Sequence, residues 1–134
     1  MPATPPSPDT LAFIGGGNMA SSLIGGLSRR GFDTSRIRVA EPVAELRQAL
    51  VADFGVQGFE LGPPAVAGAG LWLLAVKPQA MRAACEPLAG PAQAARPLVV
   101  SIAAGIPVAR IQQWLGGELP VVRCMPNTPA LLGA

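Results

Sequence analysis

The feature that most constrains the fold is a glycine-rich turn near the N-terminus. An apolar run at residues 11–14 leads directly into Gly15-Gly16-Gly17-Asn18-Met19-Ala20, which fits the pattern G-x-G-x-x-G/A. Apolar residues then recur at helical spacing at Met19, Leu23 and Leu27. A strand, a tight turn and a helix in this order predict the first unit of a parallel sheet with crossover helices.

The rest of the chain continues this alternation of apolar strands and helices. Further strands are predicted at residues 37–40, 56–59, 71–76, 98–102 and 121–125. Helices are predicted from Pro42 to Gly55, briefly within 62–70, and at 79–88 and 108–115. The run 71–76 is apolar on both faces, which is typical of a central parallel strand. We therefore expect a Rossmann-type, doubly wound α/β fold, with a mostly parallel sheet and helices on both faces.

Composition narrows the functional class. Half of the 134 residues are hydrophobic, the formal net charge is +2, and the basic residues are scattered, so neither nucleic acid nor a membrane is an expected partner. Residues 1–10 hold four prolines and do not resemble a secretory signal, so we expect a disordered lead followed by one folded domain over 11–134. A cytoplasmic protein is expected.

The reactive side chains are few. The chain has no histidine, which excludes Ser-His-Asp and Cys-His catalysis and any metal site that needs imidazole. Its two cysteines, Cys85 and Cys124, form neither a C-x-x-C pair nor a dense disulfide pattern, and we expect both to be buried free thiols. A reaction carried out by this chain would therefore depend on a bound cofactor.

The glycine turn favours a dinucleotide site. Gly15 would allow the tight turn, Gly17 would let the backbone approach a pyrophosphate, and Ala20 would keep the helix close to the strand. Glu41 ends the second strand, at roughly the 20-residue spacing at which an acid binds the adenosine ribose. The alternatives are a turn required only by packing and a solvated glutamate before Pro42.

The choice between NADH and NADPH stays open at this point. A carboxylate at Glu41 favours NADH, because it would repel the additional phosphate of NADPH. Arg47 is a candidate partner for that phosphate, although it could equally lie on an exposed helix face.

Residues directly after the later strands are further candidates, because ligands of such sheets bind outside the carboxyl ends of the strands. Lys77, the only lysine, precedes Pro78, which favours an extended conformation at Lys77. Lys77 could lie beside a phosphate or ribose, or be a solvated cation beside a loop. Ala103 and Ala104 are small enough to let a ring approach the backbone, or they serve helix packing. The turn containing Asn127 and Thr128 could bind a carboxamide or ribose, or act only as a turn.

The strings FIGGGNMA, AVKPQ, VVSIAAGI and VVRCMPNTPAL, in this order and spacing, resemble pyrroline-5-carboxylate reductase. The resemblance runs from about residue 11 to the end. It implies reduction of the imine Δ1-pyrroline-5-carboxylate to L-proline by NADPH or NADH, the last step of proline biosynthesis. The implied cofactor-binding residues are Ile14, Gly15, Gly16, Gly17, Asn18, Met19, Ala20, Glu41, Pro42, Ala75, Val76, Lys77, Pro78, Ala103, Ala104, Asn127 and Thr128.

Two features differ from the family pattern. Some relatives carry a serine at the position of Glu41 and an asparagine near Gly62, so the adenosine pocket is expected to differ. Family members also continue into a helical domain that dimerises and surrounds the substrate, and its motifs do not occur in this sequence. The resemblance thus implies a homo-oligomeric full-length protein and an isolated chain that binds cofactor with little turnover.

Two other interpretations remain open from the sequence. One is a related Rossmann oxidoreductase, of the hydroxyacid dehydrogenase or deazaflavin-linked type, which would share the glycine turn but not both SIAAGI and MPNTP. The other is a nucleotide-binding module without catalysis, which the fold alone does not exclude.

Overall fold

The computed structural model describes residues 7–124. The strands are β1 (Ser7–Ile14), β2 (Ile37–Ala40), β3 (Gln57–Phe59), β4 (Ala69–Leu74), β5 (Leu98–Ser101) and β6 (Val121–Arg123). The helices are α1 (Asn18–Arg29), α2 (Ala44–Phe54), α3 (Gly62–Val66), α4 (Met81–Cys85), α5 (Ala89–Ala95) and α6 (Val108–Trp114).

The strands form one sheet in the order β3-β2-β1-β4-β5-β6, with every neighbouring pair parallel. This is the doubly wound order, and the chain reverses its direction of travel between β1 and β4. The expected Rossmann-type fold is confirmed, and the described sheet is parallel throughout.

Each face of the sheet carries its own core, because side chains alternate along a strand. Leu11 and Phe13 of β1 join the cluster covered by α1 and α2, whereas Ala12 and Ile14 join the cluster covered by α3, α4, α5 and α6. Trp72 of β4 is fully buried in the second cluster, and its indole N–H donates to the Ala69 carbonyl at 3.1 Å. The central strands are therefore covered on both sides, as their apolar sequences predict.

The N-terminal boundary differs from the prediction. Strand β1 begins at Ser7, and a register shift separates the Ser7–Ala69 pair from the regular pairing that starts at Leu11. Pro8 lies within this shift, where a residue without an N–H is tolerated. The prediction of a disordered lead through residue 10 is therefore wrong for residues 7–10.

The helices also depart from the sequence expectations in detail. On α1 the buried residues are Ala20, Ile24, Gly25 and Gly26, whereas Met19, Leu23 and Leu27 are half-buried beside them. The helix expected over 79–88 is a short helical turn at Pro78–Ala80, then α4, then a second turn at Glu86–Leu88 that leads into α5. Pro78 and Pro87 stand near the starts of these turns, where a missing N–H is tolerated.

The two cysteines lie in different surroundings. Cys85 is a buried free thiol whose pKa is raised by burial to about 12. Cys124 is free and exposed, so the expectation that both thiols are buried is wrong for Cys124, which follows the short edge strand β6. No helix within residues 7–124 is long and apolar enough to cross a membrane.

Candidate functional site

A cavity of about 650 Å³ opens at the carboxyl ends of β1, β2 and β4. This is the edge of the sheet at which the strand order reverses, and ligands of open parallel sheets bind there. Its size falls in the usual range for small-molecule and cofactor sites. Its walls include Ile14 and Gly15 from the end of β1, Ala40 and Glu41 from the end of β2, and Ala75 after β4.

The turn between β1 and α1 is held by Gly15. Its φ is +104°, a conformation that side chains disfavour, and a Cβ there would lie 2.7 Å from the carbonyl oxygen of Ala75. The Gly15 amide donates to the Ala40 carbonyl at 2.8 Å. Gly15 therefore fits the tight turn that the sequence predicts, and it also lets β1 and β4 end side by side.

Gly17 faces the cavity. Its backbone is extended, with φ −82°, and a Cβ built on it would meet no atom within 4 Å. Packing within the described residues therefore does not require a glycine at this position. The space beside Gly17 is what a ligand would need in order to approach the backbone.

The start of α1 offers donors to an anion. The first amides of a helix have no partner within the helix, and neither a side-chain cap at Gly17 nor an acidic residue in the first turn is present. The exposed Asn18 and the half-buried Met19 begin the helix beside a second cavity of about 380 Å³. Aligned amides and the positive end of the helix dipole together suit a phosphate group.

Ala20 serves packing. It is fully buried between α1 and the sheet, as expected of the third small residue of the fingerprint, and lines neither cavity. Its small side chain fixes the distance of α1 from β1.

Glu41 is buried, with 8% of its surface exposed, and its side chain is firmly held. One carboxylate oxygen accepts from the Gly16 amide at 2.8 Å, and the other accepts from the Val43 amide at 2.9 Å. A Cβ on Gly16 would lie 3.0 Å from the Cβ of Glu41, so the two residues pack closely. Glu41 thus joins the glycine turn to the start of α2, and the alternative of a solvated glutamate is wrong.

Arg47 does not lie free on an exposed face. It is half-buried, and its Nη1 donates to the backbone carbonyl of Glu41 at 2.8 Å. The stem of Arg47 packs over Gly58, where a Cβ would lie 2.8 Å from its Cγ. Arg47 is not among the residues that line either cavity.

The end of β4 separates the two cavities. Ala75, Val76 and Lys77 line both of them, and Pro78 lines the second. Lys77 is exposed and extended, with φ −64° and ψ 151°, as the following proline predicts. Its ammonium group is thus available to a ligand that spans both cavities.

Some of the candidate residues are not brought to the cavities. Ala103 is buried in the core and Ala104 is exposed, and neither lines either of the two cavities described above, whereas their neighbour Ile102 lines the second one. Asn127 and Thr128 lie outside the described residues. Pro42 is exposed and lines the first cavity.

One wall of the first cavity was anticipated only at Gly62, near which the resemblance implied part of the adenosine pocket. It is formed by residues of α2, the loop after β3, and α4 with its flanking turns: Leu46, Glu60, Leu61, Gly62, Pro63, Gln79, Ala80, Ala83, Ala84 and Pro87. The signal in the sequence is weak, because Leu46 and Leu61 look like core residues, yet they are 43% and 64% exposed.

Comparison with known proteins agrees with this architecture. Residues 10–105 match the family described as NADP oxidoreductase coenzyme F420-dependent. A pyrroline-5-carboxylate reductase of Pseudomonas aeruginosa is 54% identical over 122 residues, which cover 91% of this chain and 44% of that protein. The solved pyrroline-5-carboxylate reductase of Coxiella burnetii superposes with a TM-score of 0.88 at 33% identity, covering 94% of this chain and 47% of that one.

A third similar protein was solved with a bound cofactor. The pyrroline carboxylate reductase of Plasmodium falciparum, a structure with NADP bound, has a TM-score of 0.78 at 22% identity and covers 92% of this chain and 44% of that one. This likeness concerns the fold. In each of the three comparisons the chain spans about half the length of the similar protein, or slightly less.

The sheet order and the glycine turn define a Rossmann-type α/β domain of the kind found in oxidoreductases. The family match covers most of the chain. The protein therefore belongs to the family described as NADP oxidoreductase coenzyme F420-dependent.

Proposed function

We propose that the chain binds NADPH or NADH and forms the cofactor-binding domain of a reductase that converts Δ1-pyrroline-5-carboxylate to L-proline. The observation that carries the proposal is the uncapped start of α1, where Gly17 opens onto a cavity at the reversal of strand order. The similarity to a pyrroline-5-carboxylate reductase at 54% identity supports the choice of substrate.

The cavities suggest how the dinucleotide lies. The pyrophosphate would rest on the amides at Gly17, Asn18 and Met19, because the amides of Gly15 and Gly16 already have partners in Ala40 and Glu41. The adenosine would occupy the first cavity beside Glu41, and the nicotinamide would extend past Val76 and Lys77 into the second. Gly16, which the resemblance implies to bind the cofactor, would then shape the turn instead.

The proposed chemistry needs little from the protein's own acids and bases. When bound, the reduced nicotinamide supplies a hydride from its C4 to the imine carbon, and a protonated imine is already electrophilic. The residues of this chain hold the dinucleotide in place, and orientation can account for a large part of such a rate enhancement. The lack of histidine is compatible with this division of work.

The substrate is the part of the proposal that lies furthest from the described residues. Because the chain spans about half of the relatives it matches, we propose that it binds cofactor alone but turns over little imine. We further propose that the full-length protein is a cytoplasmic homo-oligomer, with oligomer contacts made by residues outside this chain.

The test separates binding from turnover. The 134-residue chain is titrated with NADH and with NADPH by calorimetry, and it is then incubated with either cofactor and Δ1-pyrroline-5-carboxylate while proline is measured. We expect saturable binding and a turnover far below the roughly 10 s⁻¹ that is typical of enzymes. Absence of binding to both cofactors would contradict the proposal, and proline formation at a typical enzyme rate would contradict the need for further residues.

The family description favours a second candidate. It names coenzyme F420, so the second candidate is a deazaflavin-linked reductase with the same first domain. The titration repeated with reduced coenzyme F420 and NADP⁺ distinguishes the two. Saturable binding of reduced coenzyme F420 by this chain would favour this candidate, and its absence alongside binding of NADH or NADPH would contradict it.

A further inference from the structure

We propose that Glu41 makes the first cavity selective for a dinucleotide whose adenosine ribose carries a free 2′-hydroxyl, so that this chain binds NADH in preference to NADPH. The inference rests on the proposed function, since it concerns which of the two cofactors the same cavity takes.

The Glu41 carboxylate lies at the edge of the first cavity. Glu41 directly follows β2 and lines the cavity, which is where an acidic residue of this fold meets the adenosine ribose. Its two oxygens accept from the amides of Gly16 and Val43, at 2.8 and 2.9 Å. A carboxylate oxygen can accept more than one hydrogen bond, so a ribose hydroxyl can still donate to either oxygen.

This carboxylate cannot easily move aside. Its backbone is fixed at both ends, because the Glu41 amide donates to the Phe59 carbonyl at 2.8 Å and the Glu41 carbonyl accepts from Arg47 at 2.8 Å. Rotation of the side chain toward solvent would leave the amides of Gly16 and Val43 without their acceptor. A 2′-phosphate would therefore meet a negative group held in place.

A second carboxylate in the same wall of the first cavity adds to the repulsion of a 2′-phosphate. Glu60 directly follows β3, the neighbour of β2, and also lines the first cavity. The one basic residue among the described lining residues is Lys77, which lies after β4 on the other side of β1. Arg47, the remaining candidate for a phosphate, donates to the Glu41 carbonyl and does not line the cavity. The wall at β2 and β3 thus presents two carboxylates to the adenosine ribose.

The experiment compares ligands that differ only in the 2′-phosphate. Calorimetry gives the dissociation constants of NADH, NADPH, ADP-ribose and 2′-phospho-ADP-ribose for the wild-type chain, for Glu41→Ser and for Glu60→Gln. We expect the wild-type chain to favour the ligand without the phosphate by about tenfold or more in both pairs. Glu41→Ser should remove most of this preference, since it removes the fixed charge.

Glu60→Gln is the matched control, because it removes a carboxylate from the same wall without freeing a buried amide. It should change the preference by less than Glu41→Ser does. An equal or larger effect of Glu60→Gln would overturn the assignment to Glu41. If Glu41→Ser does not fold, the inference is tested by the ligand preference of the wild-type chain and by that of the nearly isosteric variant Glu41→Gln.

The outcomes separate this inference from the function on which it rests. Equal or tighter binding of NADPH by the wild-type chain overturns the inference and leaves the proposed function standing. Binding of none of the four ligands overturns the proposed function, and the selectivity with it.

Discussion

Gly15 and Gly17 lie two residues apart in the same turn, but the protein's own structure constrains only Gly15. At Gly15 the backbone has a positive φ, and the carbonyl of Ala75 leaves no room for a Cβ. At Gly17 the backbone suits any residue and the space for a side chain is empty. The first glycine is therefore required by the protein's own structure, whereas a bound ligand is what would require the second.

This difference leads to a prediction for Gly17→Val. The added side chain should occupy the space into which the cofactor's pyrophosphate would come, so binding of NADH and NADPH should fall below detection while the sheet stays folded. Calorimetry measures the binding, and thermal unfolding followed by circular dichroism measures the fold. Unchanged affinity in a folded variant would show that the turn does not hold the pyrophosphate.

Gly15→Ala is the companion variant. A Cβ at this position needs a disfavoured backbone conformation and lies within 3 Å of two atoms of Ala75. We expect a loss of stability of at least about 1–3 kcal/mol, measured by denaturant unfolding. The two glycines would thus be separated by experiment into one that stabilises the turn and one that leaves room for a ligand.

Single residues also show where sequence reasoning stops. The pattern G-x-G-x-x-A specified the turn and its place because each small residue answers a local steric demand. The partner of the Gly16 amide was not predictable, because it depends on the rotamer of Glu41, which lies 25 positions away. For the same reason, the sequence alone did not decide whether Glu41 binds a ribose or is solvated.

At the scale of elements, α1 is placed by the small residues on its inner face. Ala20, Gly25 and Gly26 are buried, and Ile24 is the large side chain that fills the space between them and the sheet. The predicted stripe of Met19, Leu23 and Leu27 lies beside this buried face. Sequence spacing alone could not predict this, because it does not show whether small residues or larger ones form the centre of the buried face.

A truncation on α1 tests this arrangement. Ile24→Ala should lower the free energy of unfolding by about 2–5 kcal/mol, because it leaves a cavity between α1 and the sheet. Val51→Ala on α2 is the control, since Val51 is 41% exposed, and it should cost much less. Denaturant unfolding of the two variants checks the difference, and equal losses would contradict the buried position of Ile24.

The segment after β4 shows why boundaries of elements were harder to predict than their order. The sequence indicated one helix over 79–88, whereas the structure has a turn at Pro78–Ala80, α4, a turn at Glu86–Leu88 and α5. Pro87 and Pro91 permit a helical path without the regular hydrogen bonds of one continuous helix. The fold class was predictable because it depends on the number and alternation of apolar segments, which tolerate such local changes.

At the scale of the whole molecule, the two thiols report separately on the native and the unfolded protein. Cys124 is exposed, whereas Cys85, the last residue of α4, is buried in the core and its pKa is raised by burial to about 12. A thiol reagent at pH 8 should therefore modify one thiol per folded chain and two after denaturation, because the thiolate is the reactive form. Rapid modification of both thiols in the folded chain would contradict the packing of this core.

The same shift gives a pH dependence. The pKa of Cys85 is higher in the folded chain than its ordinary value of 9.0, so its contribution to stability is complete below about pH 9 and is lost as pH rises toward about 12. Denaturant midpoints for the wild-type chain and Cys85→Ala should converge over that interval. Parallel profiles would indicate that Cys85 does not set this dependence.

The position of Trp72 has an optical consequence. The chain has two tryptophans and no tyrosine, so indole dominates its ultraviolet emission. Trp72 is fully buried in β4, and the residues that follow this strand line both cavities. Because a reduced nicotinamide absorbs where indole emits, a dinucleotide held at that edge of the sheet would quench the emission by energy transfer. The unmodified protein thus contains its own fluorescent donor for following the arrival of a cofactor.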